Sequence, residues 1–343
     1  MRLAVLLATA VLAVPSLLAQ HLVPTGGEWL IGPTDHAGKI ELEIRYGEGG
    51  RHSSNWGRTI PVSDLVGLSA ADMRGSGSAV HFKIVRAAGT LNCEGWFDNE
   101  RGSGHFTYEP NPGFVSELAK RGIGAPTEWE QFELTMAGIG LDLVDELQKQ
   151  GYDRPTASEL ARMGTHGVDL EYVQDLGARG YHLHYAESLV RMRDHGVDSD
   201  FIASLGSAGY KNLTAEDLVR MRDHGVDPDF IASIKGAGYQ NLGTEDLVRL
   251  RDHGVDGDYI ADMKDAGYTP ANPEELVESR DHGVDASYVR SLKEAGYDRL
   301  SLEQLRRARD HGVTRGFILR VKARGYSNAS LEEVIRLRDR GLD

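Results

Sequence analysis

A 29-residue repeat constrains the fold of this chain more than any other feature of its sequence. The pair Gly-Tyr recurs at this interval at residues 151, 180, 209, 238, 267, 296 and 325. The triplet His-Gly-Val recurs at the same interval from residues 166, 195, 224, 253, 282 and 311. Stepping both series outward reaches Gly122 and Gly341, so the repeats run without a gap from about Phe114 to Asp343. A fixed period of this length is typical of stacked-repeat proteins.

Each repeat carries the start and stop signals of two short helices. In one representative repeat, Thr214 and Asp217 have the spacing of a capping box, which predicts the start of a helix. Gly225 is predicted to adopt the left-handed conformation that ends this helix. Asp227, followed by proline, opens a second helix, and Gly238 ends it. The repeat is therefore predicted to be a helical hairpin.

Helices this short are marginal in isolation, so each hairpin must bury its apolar faces against the next one. We therefore expect residues 113–343 to form an α-solenoid of about seven to eight hairpins of period 29.

Residues 20–112 lack the repeat and are predicted to form a small antiparallel β domain. Alternating apolar residues predict strands near 28–31, 39–46, 80–85, 89–97 and 105–108. A turn is expected from Asp98 to Gly104, and a short helical turn near residues 64–73. Because the linker to the repeats is short, we expect the sheet to dock on the first hairpin and cap it. The predicted fold class is α+β, a β domain followed by the solenoid.

The N-terminal segment, residues 1–19, is typical of a signal peptide. Arg2 precedes an apolar run from Leu3 to Leu18, and Ala19 supplies a small residue before the expected mature start at Gln20. An uncleaved anchor is the alternative, although this run, which contains Pro15, is short for a membrane span. We expect an exported protein, periplasmic or secreted, with no stable membrane span after cleavage.

The net charge and the single cysteine of this chain limit its partners and its covalent chemistry. A formal net charge of −14 and a pI near 5.4 give no general basic field with which to replace phosphate counterions, so nucleic acid is not expected as a partner. Cys93 is the single cysteine, which excludes an intrachain disulfide. It lies in an alternating apolar run, so we expect a buried small hydrophobic residue rather than a nucleophile.

Two segments carry a resemblance to a known family. They are GSGHFTYEPNPGFVSEL at residues 102–118 and repeat phrases such as DLVRLRDHGVD at residues 246–256. Residues 27–343 resemble the extracytoplasmic tail of some bacterial BlaR-type antirepressor metallopeptidases. The resemblance implies a sensor-associated or protein-binding region in the envelope. The chain has no His-Glu-x-x-His motif and none of that family's membrane helices, so no catalytic residue is transferred.

The repeated histidines have two interpretations. Neighbouring aspartates suggest metal or proton chemistry. Alternatively, each histidine is the last helical residue before a glycine, where a cationic or donor side chain favours the carbonyl end of the helix. Arg340 takes this position in the last repeat and is a poor metal ligand, which favours the structural interpretation. The candidates are His166, His195, His224, His253, His282 and His311.

A repeated arginine also has two interpretations. It could line a groove for an anionic polymer or an acidic partner. Alternatively, because the adjacent aspartates largely cancel its field, it could belong to a solvated ladder of ion pairs between repeats. The candidates for a binding face are Arg193, Arg222, Arg251, Arg280 and Arg309, and Arg338 continues the series. The tyrosine of each Gly-Tyr pair is expected to pack at the helix end.

The sequence predicts binding rather than catalysis. It contains no phosphate-binding loop, nucleophile elbow, Cys-x-x-Cys pair or zincin motif, and no cofactor is expected. We expect a non-enzymatic scaffold or sensor-associated repeat protein whose partner is an envelope protein. One alternative is that the β domain binds a cell-wall fragment or small ligand and the repeats are a spacer. Another is a hydrolase at the junction of sheet and solenoid that uses His105 or Glu94.

Overall fold

The computed structural model describes residues 24–47 and 54–342. They divide into two compact units, the first holding residues 24–170 with 184–186 and the second holding 171–183 with 187–342. The predicted signal segment, residues 1–19, lies outside the described residues. None of the helices in the described ranges is both long and apolar enough to cross a membrane.

The first unit contains one antiparallel sheet of seven strands in the order β3-β2-β1-β7-β6-β5-β4. The first and last strands, β1 and β7, pair with each other, which brings the beginning and end of the β domain together. The strands are Gly26–Pro33 (β1), Lys39–Tyr46 (β2), Ser54–Pro61 (β3), Leu65–Val66 (β4), Ser76–Val85 (β5), Gly89–Asp98 (β6) and Arg101–Pro110 (β7).

All five predicted strands are present, but the turn predicted from Asp98 to Gly104 is wrong. The last hairpin closes much more tightly, because β6 continues to Asp98 and β7 starts at Arg101. Asn99 and Glu100 make the connection with φ angles of 48° and 66°. Two consecutive left-handed residues match the twist of the flanking strands, so a two-residue loop suffices.

Strands β3 and β4 at the two edges of the sheet were not predicted. The helical turn expected near residues 64–73 corresponds to a 3-10 turn at Val62–Asp64 and a short helix, α1, at Ala70–Arg74. Ser69 and Asp72 form a capping box at the start of α1.

Trp29 is fully buried at the centre of the sheet's core. Its indole Nε1 donates to the carbonyl oxygens of His105 in β7 (3.1 Å) and Glu94 in β6 (3.2 Å). The ring lies over Gly95 and Gly104, which are cross-strand partners. A Cβ atom on Gly104 would lie 2.0 Å from the Glu94 carbonyl oxygen, so only glycine permits this packing.

The core face of the sheet packs against helix α3 (Glu128–Ala137), the first helix of the first repeat. Phe132 of α3 is fully buried, and its ring lies 5.0 Å from those of Tyr46 and Tyr108. Gln131 donates from Nε2 to two backbone carbonyl oxygens of the β domain and its linker. The prediction that the sheet docks on the first hairpin is confirmed.

Sixteen helices follow α1 in a regular two-helix pattern among the described residues. The first helices of the repeats are α3, Ala157–Thr165 (α5), Ala186–Asp194 (α7), Ala215–Asp223 (α9), Thr244–Asp252 (α11), Pro273–Asp281 (α13), Leu302–Asp310 (α15) and Leu331–Asp339 (α17). The second helices are Pro112–Lys120 (α2), Leu141–Lys149 (α4), Leu170–Ala178 (α6), Ser199–Ser207 (α8), Pro228–Gly236 (α10), Gly257–Asp265 (α12), Ala286–Glu294 (α14) and Arg315–Ala323 (α16). The predicted α+β fold class is confirmed.

Equivalent helices of successive repeats pack on one another in the second unit. First helices α9 and α13 both contact α11, and second helices α10 and α14 both contact α12. The buried residues are those at the apolar positions of the repeat, for example Leu218, Val219 and Met221 in α9 and Phe230, Ile231 and Ile234 in α10. The apolar faces are thus buried between neighbouring hairpins, as a solenoid requires.

Candidate functional site

The repeated histidine ends the first helix of each hairpin. His224 is the C-terminal cap of α9, and Gly225 follows it with a φ of 67°. The Val226 amide then donates to the Met221 carbonyl oxygen at 2.8 Å, which closes the helix end. His166, His253, His282 and His311 cap their helices in the same way.

The histidine ring reaches the next repeat rather than the aspartate beside it in sequence. In five pairs, Nδ1 lies 2.6–2.7 Å from a carboxylate oxygen of an aspartate 28 residues further along the chain. An ionised carboxylate only accepts hydrogen bonds, so Nδ1 carries the hydrogen. The pairs are His195–Asp223, His224–Asp252, His253–Asp281, His282–Asp310 and His311–Asp339.

This histidine ladder has the geometry of a structural contact. The five histidine side chains are 35–44% exposed, so each pair alone contributes little to stability. Within residues 24–47 and 54–342, no group of three or more His, Cys, Asp or Glu side chains is placed to hold a metal ion.

The repeated arginine stacks on an aromatic ring of the preceding repeat. Its guanidinium carbon lies 4.7–5.0 Å from the ring centroid in six pairs, all with the same separation in sequence. Such contacts are cation–π interactions. The pairs are Arg193–Tyr172, Arg222–Phe201, Arg251–Phe230, Arg280–Tyr259, Arg309–Tyr288 and Arg338–Phe317. This aromatic partner was not predicted, although the aromatic residue recurs with the period of the repeat.

A second arginine series pairs with glutamates of the next repeat. The Arg191 guanidinium lies 2.9 Å from Glu216, and that of Arg307 lies 3.0 Å from Glu332. The pairs Arg220–Glu245 and Arg249–Glu274 have the same separation in sequence. One repeat departs from the pattern, because glutamate replaces arginine at position 278 and pairs with Arg306 instead. Charge pairing between neighbours is therefore kept where the residue types change.

Tyrosine hydroxyl groups make a further series of contacts between neighbouring repeats. Tyr259 donates to the Val284 carbonyl oxygen at 2.8 Å and Tyr288 to that of Val313 at 3.0 Å. Burial raises the pKa of Tyr259 and of Tyr288 to about 12. The tyrosines of the Gly-Tyr pairs also donate to the next repeat, as in Tyr210 to Leu242, Tyr239 to Pro270, Tyr268 to Leu300 and Tyr297 to Ala329.

An acidic row on the second helices is not used by these contacts. The second residue of α6, α8, α10 and α12 is an exposed carboxylate in each case, and none of the four has an ion pair among the described residues. A carboxylate in the first turn interacts favourably with the helix dipole, which explains why each of these helices has one acidic residue there. The row, called here the acidic row, consists of Glu171, Asp200, Asp229 and Asp258.

In the first unit, Cys93 lies in the core of the sheet and is buried. Burial raises the pKa of its thiol to about 12. The reactive thiolate form is therefore disfavoured, consistent with the prediction of a buried, unreactive residue.

His105 and Glu94, the residues considered for a hydrolase, are cross-strand partners on β7 and β6. Both are exposed on the outer face of the sheet, opposite to the core face that packs on α3. His81 on β5 and Glu28 on β1 continue the same row across the sheet. These side chains are therefore close together but do not lie where the sheet meets the first hairpin.

Trp96 lies on the same outer face and is 50% exposed. It lines two shallow depressions, of about 620 and about 600 Å³. Five carboxylate residues also line them, namely Glu28, Glu41, Glu43, Glu94 and Asp98. We call this region the Trp96 face. This face was not predicted as a site, although Glu94, Trp96 and Asp98 alternate along one strand.

Comparison with protein-family models, curated proteins and solved structures finds no match for this chain.

Proposed function

We propose that this protein is an exported, non-enzymatic scaffold of the bacterial envelope, and that its helical repeats bind a partner protein. Export rests on the signal-peptide pattern of residues 1–19, and an envelope location on the resemblance of residues 27–343 to the tails of BlaR-type antirepressors. Repeat arrays of this kind present extended surfaces that suit protein partners.

The observation that carries the proposal is that the repeated polar side chains contact neighbouring repeats. The histidine, arginine and tyrosine series contact neighbouring repeats, so their recurrence is explained by architecture and not by chemistry. Shifted pKa values also have structural causes. At Asp217, for example, the hydrogen bond from the Thr214 hydroxyl lowers the pKa of the carboxyl group. These features favour a binding protein over an enzyme.

The acidic row is the binding surface that the geometry favours. Residues 113–343 contain 41 Asp and Glu against 29 Lys and Arg, so the array attracts cationic surfaces. The repeated arginines remain an alternative face, but their guanidinium groups already stack on aromatic rings. We therefore expect a partner with a basic surface.

A capture experiment tests this function. The full chain is used as bait on detergent-solubilised envelope, and captured proteins are identified by mass spectrometry. The variant Asp200→Asn, Asp229→Asn, Asp258→Asn should reduce capture of the specific partner by about tenfold, because complementary charges guide association.

The matched control is Asp35→Asn, Glu100→Gln, Glu303→Gln, which makes the same change of charge at exposed positions that do not belong to the acidic row. It should capture the partner as the unmodified chain does. Equal capture by the two variants would reject the acidic row, and the absence of any saturable partner would reject the scaffold function.

A further inference from the structure

We infer that the Trp96 face of the β-sheet binds a basic, extended peptide segment of a partner protein, with one cationic side chain stacked on the Trp96 indole. This site is separate from the acidic row of the repeats and does not depend on the function proposed above. It lies wholly within the first unit and is formed by strands β1, β2, β5, β6 and β7.

Both neighbours of Trp96 across the sheet are small. Ala79 on β5 and Ser103 on β7 are its cross-strand partners. An indole flanked by such side chains is left uncovered, which explains its exposure and the depression on either side of it. Among aromatic side chains, tryptophan offers the strongest site for a cation over its ring face.

The charges around the indole select a cation. Glu94 and Asp98 lie two residues before and after Trp96 on the same strand and face, at a distance of about 7 Å along the strand. Glu28, Glu41 and Glu43 supply three more carboxylates at the edges of the depressions.

Few positive charges oppose these carboxylates. Arg101 is the cross-strand partner of Asp98, and Arg45, the partner of Glu28, forms an ion pair with Glu43 at 2.7 Å. Carboxylates thus predominate around the indole, so an anionic ligand is disfavoured and an ammonium or guanidinium group is favoured.

The shape of the site favours a peptide over a small amine. Both depressions are shallow and continuous across Trp96, whereas small molecules favour concave pockets that enclose most of their surface. Alternate side chains of an extended peptide lie about 7 Å apart, which matches the spacing of Glu94, Trp96 and Asp98. Alternating basic residues can therefore contact the carboxylates and the indole together.

The test measures binding of a fluorescently labelled peptide of alternating lysine and glycine to the full chain by fluorescence anisotropy. We expect saturable binding that Trp96→Ala weakens by about tenfold, in the range of a partly desolvated cation–π contact. Glu94→Gln with Asp98→Asn should weaken binding further and reduce its dependence on salt. The matched control is Val85→Ala, which removes another exposed apolar side chain from the same sheet, outside the depressions.

Three results would overturn the inference. Binding that survives Trp96→Ala but falls with every loss of negative charge would mean general attraction to an acidic chain. If spermidine displaces the labelled peptide as well as unlabelled peptide does, at equal concentration of amine, the site binds small amines instead. No saturable binding of the peptide to the unmodified chain would reject the site. Near-ultraviolet circular dichroism of each variant, which is sensitive to the packing of the buried Trp29, verifies that the core of the sheet is intact.

Discussion

Tyr259 and Phe230 occupy the same position in consecutive repeats, so the chain itself contains a comparison of the two side chains. Both are buried and both have an arginine of the next repeat over the ring. They differ in the hydroxyl group, which in Tyr259 donates to the Val284 carbonyl oxygen. The packing of the ring is therefore common to the repeats, and the hydrogen bond is an addition in some of them.

The first prediction concerns this hydroxyl group. Tyr259→Phe should fold normally, because Phe201 and Phe230 already fill the equivalent positions, and should lower the free energy of unfolding by about 1 kcal/mol for the lost hydrogen bond. Chemical denaturation measures the change. A loss of several kcal/mol would show that the ring packs differently from those of its phenylalanine counterparts.

The same tyrosines predict the response to alkaline pH. Their pKa is raised to about 12 in the folded chain, against about 10 when exposed, so the unfolded chain loses its protons first. Their contribution to stability is thus complete below pH 10 and is lost as the pH rises towards 12. Urea unfolding at pH 9 and pH 11 should show this loss, and Tyr259→Phe with Tyr288→Phe should reduce it. An unchanged alkaline loss in the double variant would contradict the assignment.

The position of a repeated residue within its helix could be predicted from the sequence, but the residue that it contacts in the next repeat could not. Histidine was correctly placed at the end of a helix by the glycine that follows it. Its hydrogen bond to Asp252 rather than to Asp223 depends on how the next hairpin packs, and periodicity alone does not give that geometry. The stacking of Arg251 on Phe230 depends on the same packing between hairpins, so the spacing of the arginines alone does not indicate an aromatic partner.

At the scale of elements, helix boundaries follow from local signals and were predicted well. The capping box of Thr214 and Asp217 and the cap of Asp227 are present as expected. Strand β3 was missed because Gly57 and Arg58 interrupt its apolar alternation. Arg58 points toward the core side and donates to the Ala137 carbonyl oxygen at 2.9 Å, a long-range contact that no local pattern reveals.

Two glycines, one just after helix α9 and one at the end of helix α10, give a matched pair of predictions. Gly225→Ala should destabilise the chain by about 1 kcal/mol, because φ at this position is 67° and a side chain is strained there. Gly236→Ala should stabilise it by about 0.5 kcal/mol, because this glycine is the last residue of helix α10, its φ is not positive, and a Cβ atom there meets nothing within 4 Å. Thermal unfolding compares the two variants, and shifts of the same sign would contradict the role of Gly225 as a helix stop.

At the scale of the molecule, each ladder joins a repeat to its nearest neighbour only. The two partners in the arginine–aromatic, arginine–glutamate and histidine–aspartate pairs are separated by less than one repeat, so no polar contact of these series skips a hairpin. A chain with such contacts behaves as a quasi-one-dimensional array, whose stability is a sum over repeats and interfaces. One complete repeat should then be removable without loss of the fold.

Deletion of residues 215–243 tests this property, because it joins Thr214 to Thr244 and keeps the register of the repeats. Asp246 then completes the capping box of Thr214, Asp252 becomes the partner of His195, and Arg251 comes to lie over Phe201. We expect the shortened chain to keep its helical circular dichroism per residue and to unfold cooperatively, with a smaller denaturant m-value because it exposes less surface. Deletion of residues 215–228, about half a repeat, is the control and should abolish cooperative unfolding, since it puts a second helix where a first helix must pack. If both deletions unfold alike, the contacts between neighbouring repeats do not determine the fold of the array.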